Sequence, residues 1–63
     1  MSIPEKIKTH RLELGLTQEQ AAKRIGWSQS VWQNYESGKR LPTVGRTFKK
    51  IARALKCKER DLL

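Results

Sequence analysis

Sixty-three residues make one small domain, residues 1–63, with no room for a second core. Fourteen Lys and Arg against six Asp and Glu leave a net charge of +8, which in so small a domain favours a polyanionic partner. The single cysteine, Cys57, excludes an internal disulfide, no Cys/His cluster offers a zinc site, and no apolar run approaches the ~20 residues of a membrane span.

The basic N-terminal stretch lacks a signal-peptide core, so the expected setting is reduced and cytoplasmic, with Cys57 packed as a small apolar side chain. Nucleic acid is favoured over lipid because every amphipathic segment is short and bounded by caps.

The punctuation of the chain predicts an all-α fold of five helices and no strands. Ser2-Ile3-Pro4-Glu5 is a capping box with proline in the first turn, and Gly15 closes the helix that follows. Ile3, Ile7 and Leu14 form its apolar stripe, interrupted by Arg11. Thr17-Gln18-Glu19-Gln20 opens a second helix whose inner face is Ala21, Ala22 and Ile25, and Gly26 ends it. Small residues at 21 and 22 let another helix approach closely.

Ser28 caps a third helix that runs to Gly38, and Lys39-Arg40-Leu41-Pro42 is a loop because Pro42 disfavours helix at Leu41. Thr43 is the expected cap of a fourth helix, with Val44, Phe48, Ile51, Ala52 and Leu55 at helical spacing and Gly45 weakening its first turn. A short fifth helix over Glu59 to Leu63 places Leu62 against the core. Gly26, between two short helices, gives the helix-turn-helix arrangement at the second and third helices.

The third helix carries the functional signal. Wound at about 100° per residue, Gln29, Ser30, Gln33, Asn34 and Ser37 fall within an arc of about 140°, with Val31, Trp32 and Tyr35 on the other side. A helix that needs only solubility normally shows Lys and Glu outward. This one shows uncharged hydrogen-bonding groups, and the basic residues lie before and after it. Gln and Asn amides donate and accept together, as the major-groove edge of adenine requires. Gln29 and Asn34 are therefore expected at A·T pairs, since no Arg or Lys lies on this face to grip guanine. Trp32 and Tyr35 read as core, and Val31 either touches a thymine methyl or is partly buried.

Three stretches resemble the helix-turn-helix domain of the lambdoid phage repressor and Cro family. They are Leu16-Thr17-Gln18-Glu19-Gln20-Ala21-Ala22, Gly26-Trp27-Ser28-Gln29-Ser30, and Tyr35-Glu36-Ser37-Gly38-Lys39-Arg40-Leu41-Pro42. Ile51-Ala52-Arg53-Ala54-Leu55 resembles the family's fourth helix. The resemblance implies a compact five-helix domain whose third helix, about 29–37, enters the major groove of double-stranded DNA. It implies base contacts from Gln29, Ser30 and Asn34 and a phosphate grip from Gln18. It further implies a homodimer, at least on DNA, and a palindromic operator with half-sites about one helical turn apart. An Arg and a Glu at the places of Arg11 and Glu36 form an ion pair in the family. Trp27 departs from the usual small aliphatic residue, and Lys56 stands where a glycine often ends the fourth helix.

Gln33 lies inside the polar arc, with base, phosphate and water contacts all open. Phosphate contacts are expected from Thr17, Gln18, Ser28, Ser37, Lys39, Arg40 and Arg46; Arg40 can instead reach a narrow minor groove. Lys49, Lys50, Arg53, Lys56, Lys58 and Arg60 read as a solvated face that steers the duplex from a distance. His10 is a lone histidine beside Arg11, exposed or near a phosphate.

No nucleophile, base and orienting group fall together, and no cofactor fingerprint or phosphate-cradling glycine loop occurs. The expectation is a transcriptional regulator that is not an enzyme, with no cofactor, no metal, no membrane and no small-molecule substrate. The alternatives are a protein-interaction module, such as the partner-binding domain of an antitoxin, and a nonspecific nucleic-acid coat.

Overall fold

Small hydroxyl residues start three of the helices in the computed structural model, which describes residues 2–42 and 45–63. Helix α1 spans Ile3–Glu13, α2 Gln18–Arg24, α3 Gln29–Ser37 and α4 Arg46–Ala54, and a 3-10 turn covers Glu59–Leu62. No strand occurs among the described residues. The Ser2 hydroxyl accepts from the Glu5 backbone N–H, while the Glu5 carboxylate takes the Ser2 hydroxyl proton instead of closing the full capping box. The box is complete at α2. There Thr17 Oγ1 accepts from the Gln20 N–H at 3.1 Å and Gln20 Oε1 accepts from the Thr17 N–H at 2.9 Å. At α3, Ser28 Oγ accepts from the Val31 N–H.

The fifth helix of the sequence reading is a 3-10 turn. Four residues are too few to propagate i→i−4 bonds, and the chain makes i→i−3 bonds from Asp61 N–H to Lys58 C=O and from Leu63 N–H to Arg60 C=O. Two further expectations are corrected. Leu14 is 41% exposed, because α1 ends at Glu13 and Leu14 is its C-cap, turned off the stripe. Gly45 precedes α4 as its N-cap, at φ 117°, and so does not sit in its first turn. The expected cap Thr43 and the apolar Val44 lie outside the described residues.

Helix α4 closes on a Schellman pattern: the Cys57 N–H donates to Ala52 C=O and the Lys56 N–H to Arg53 C=O. That pattern puts Lys56 at φ 52°, a left-handed conformation that favours glycine. Lys56→Gly is therefore expected to raise stability by about 1 kcal/mol, read as a higher urea midpoint with an unchanged m-value. An unchanged or lower midpoint would mean that the Lys56 side chain offsets its backbone cost.

Helices α1, α2, α3 and α4 meet on one cluster of Ile7, Ala21, Ala22, Trp32, Phe48, Ile51 and Leu62, all buried. The two alanines let α2 lie against both α3 and α4, and α1 packs on α3 and the 3-10 turn. Ala54, on no predicted stripe, is buried too. Arg24 ties α2 to α4 by donating from Nη1 to Ala54 C=O at 3.1 Å, where the last carbonyls of α4 lack helical partners. Cys57 is half-buried. Burial first, and the Asp61 carboxylate second, push its thiol pKa up, which keeps it protonated and unreactive at neutral pH.

Candidate nucleic-acid interface

Trp32 and Tyr35 anchor α3 to the core by its apolar side, and that fixes what the opposite side presents. Gln29, Ser30 and Gln33 are exposed, Asn34 is half-buried, and Val31 packs against the core. The turn between α2 and α3 is residues 25–28. Gly26 takes φ 72° there, and the Trp27 N–H donates back to Ala22 C=O at 2.9 Å. Trp27 covers the turn. Its ring stacks on Tyr35 with centroids 5.2 Å apart and is tilted against Trp32 at 6.4 Å. An aromatic at 27 thus braces the turn against α3 from the core side and leaves the polar face open.

Glu36 is the sole charge on α3, and it does not reach solvent. Its side chain is 4% exposed, and that of Arg11 is 9% exposed. Arg11 Nε donates to Glu36 Oε2 at 2.6 Å and Arg11 Nη2 to Glu36 Oε1 at 3.1 Å, a fork-to-fork pair. The remaining acceptor capacity of the carboxylate is also used. Gln18 Nε2 donates to Oε1 at 3.3 Å and the Trp32 indole N–H donates to Oε2. Arg11 Nη1 donates to Leu16 C=O at 2.7 Å. One carboxylate therefore joins α1, α2 and α3 under the polar face, and no buried side-chain polar atom among the described residues lacks a partner.

Above this network lies a hollow of about 290 Å³ lined by Lys8, Arg11, Gln18, Gln33, Glu36 and Ser37. It brings Gln18, Gln33 and Ser37 together, and it adds Lys8 from α1, to which the sequence pattern assigns no role. The signal that could have found it is spacing: Lys8 stands three residues before Arg11, one helical turn away on the same side of α1. Gln18 has one amide N–H committed to Glu36 and a second still free to donate. The Ser37 hydroxyl donates to Asn34 C=O at 3.3 Å, so donation elsewhere requires that hydroxyl to rotate.

Thr17 and Ser28 are exposed at the N-termini of α2 and α3. Their oxygens accept cap bonds, and their hydroxyl protons are available to donate. Lys39, Arg40 and Arg46 are exposed beyond α3, and the loop is held by the Arg40 N–H donating to Asn34 C=O at 3.1 Å. His10 is half-buried on α1. Among the described residues no group of His, Cys, Asp and Glu forms a metal-binding cluster, and no helix is long and apolar enough to cross a membrane.

Two short helices at a glycine turn, with a polar outer face on the second, are the geometry of a helix-turn-helix unit. The comparison with curated proteins and that with solved structures returned no match. The Helix-turn-helix family model matches residues 7–62, from the middle of α1 through the 3-10 turn. The chain belongs to this helix-turn-helix family and is a DNA-binding domain of a transcription regulator.

Proposed function

We propose that the domain is a sequence-specific regulator of the phage repressor or Cro type, acting in the cytoplasm and binding a palindromic operator as a dimer. The supporting observation is the division of labour on α3. Its single carboxylate is neutralised beneath the helix, so uncharged amides and hydroxyls meet the groove with no like-charge penalty from Glu36. Gln29 and Asn34 read adenine edges, Ser30 and Gln33 fill between them, and the half-sites carry A·T pairs where the amides touch. Gln18 grips a phosphate with its free N–H, Lys8 supplies charge to the same hollow, and Thr17, Ser28 and Ser37 donate along the strand. Lys39, Arg40 and Arg46 hold the flanking backbone.

Selection from a random duplex library at about 0.1 M salt tests this reading, since exposed charges more than ~10 Å apart are then largely screened. Recovery of an inverted repeat with centres about 10 base pairs apart is the expected result. Binding without any recovered motif would overturn base reading by α3 and leave a nonspecific duplex binder. Arg40→Ala is expected to weaken operator and random DNA alike and to reduce the slope of log K against log salt by about 0.9. A slope unchanged within error would show that Arg40 neutralises no phosphate.

A further inference from the structure

We propose that the groove between the outer face of α4 and the 3-10 turn takes the phosphate backbone of a second DNA segment while α3 holds the first. The inference rests on the major-groove reading of α3, none of whose residues lines this groove. The groove has a volume of about 510 Å³, and Lys49, Arg53, Lys58 and Arg60 stand around it. All four are exposed, and none pairs with a carboxylate among the described residues. The one acid on the wall, Glu59, faces four cations. Lys49 and Arg53 also border an adjoining hollow with Arg46 and Lys50, so the cationic surface runs on along α4.

Residues 46–60 hold seven of the chain's fourteen Lys and Arg, so half of the cationic side chains lie on α4 and the segment that follows it. Helix α4 buries Phe48, Ile51 and Ala52 towards the core that Trp32 fills from α3. Lys49 and Arg53 lie on the side of α4 remote from that core. Unpaired cations gathered on one face repel each other until a polyanion neutralises them.

The chemistry of the walls selects the occupant. A protein partner needs an apolar or aromatic anchor in a desolvated pocket, and this groove offers only Ala52 and Cys57. A membrane surface needs a large apolar side chain to insert, and none of the exposed leucines, Leu12, Leu14, Leu41 or Leu63, lines the groove. Phosphate backbone asks for charge alone, through counterion release. A duplex held there is bound without regard to sequence, and the domain then carries two DNA segments at once.

The test uses the whole chain, a short random-sequence duplex fixed to beads and a second, fluorescent duplex in solution. The wild-type protein is expected to carry the fluorescent duplex to the beads, with capture falling by about 10²-fold between ~50 and ~200 mM salt, as four phosphate contacts require. Lys49→Gln/Arg53→Gln/Lys58→Gln/Arg60→Gln, all at exposed positions, should abolish capture and keep most of the affinity for a single duplex. Lysine acetylation should show Lys39 protected by one equivalent of duplex, and Lys49 and Lys58 only by a second. Capture retained by the fourfold variant overturns the proposal, since bridging then runs through a second copy of the chain. Loss of capture and of single-duplex affinity in equal proportion also overturns it, because the groove would then belong to one diffuse surface. Protection of Lys49 and Lys58 ahead of Lys39 overturns the seating of the first duplex on α3 as well, which separates the two failures.

Discussion

Glu36→Ala is expected to lower stability by about 3–5 kcal/mol, because it leaves the Arg11 guanidinium buried without its counter-charge. Four neighbouring N–H donors lose their acceptor in the same step: two of Arg11, one of the Gln18 amide and the Trp32 indole N–H. A domain of this size has a total stability of about 3–9 kcal/mol, so the variant loses at least about a third of it. Urea denaturation followed by helical circular dichroism gives the number. The paired variant Arg11→Met/Glu36→Leu removes both charges and keeps the volume filled. It is expected to recover part of that loss, since apolar replacement removes the desolvation cost of the ions, while the Trp32 indole N–H and the Leu16 carbonyl still lack their partners. A loss under about 1 kcal/mol in the single variant would mean that both charges are solvated and that the network holds nothing.

That network also shows where the sequence was legible and where it was not. The start of each of the first three helices could be read because one side chain and one backbone N–H within three residues decide it, as at Ser2, Thr17 and Ser28. Burial of Ala21, Ala22, Ile51 and Leu62 followed from periodicity, because one face of each segment is apolar. What could not be read depends on contacts between segments far apart in the chain. The indole of Trp32 and the amide of Gln18 converge on Glu36 only once α1, α2 and α3 are packed. Trp27 departs from the small residue usual in the turn, and only the packed structure stacks it on Tyr35. Leu14 matched the stripe of α1 in phase but lies beyond the helix end, where phase no longer specifies direction. Lys56 bears a glycine's conformation because the tertiary position of Cys57, packed against the core, fixes the chain path on either side.

The polar face of α3 is expected to separate readout from stability. Gln29 is the first residue of the helix, exposed and without a side-chain hydrogen bond, so Gln29→Ala should change stability by less than about 0.5 kcal/mol. Asn34 accepts from the Arg40 N–H and the Ser37 hydroxyl through its backbone carbonyl, and Asn34→Ala keeps that carbonyl. Each substitution is expected to cost about 1–3 kcal/mol of discrimination at one base pair, and the two are five residues apart on the helix, about 7.5 Å along its axis. Their effects should therefore fall on different base pairs and add to within about 0.5 kcal/mol. Neither side chain carries charge, so binding to random DNA and the slope of log K against log salt should both stay where they are. Competition titrations on a selected site and on its single base-pair variants measure all three quantities. Equal losses on the selected site and on random DNA would remove Gln29 and Asn34 from base reading and make them contributors to general contact. Loss confined to one position for each variant, with A·T preferred there in the wild type, fixes the register of α3 along the groove. It also identifies which amide meets which base pair, because a side chain that contacts a base makes a substitution there cost more for the wild type than for the alanine variant.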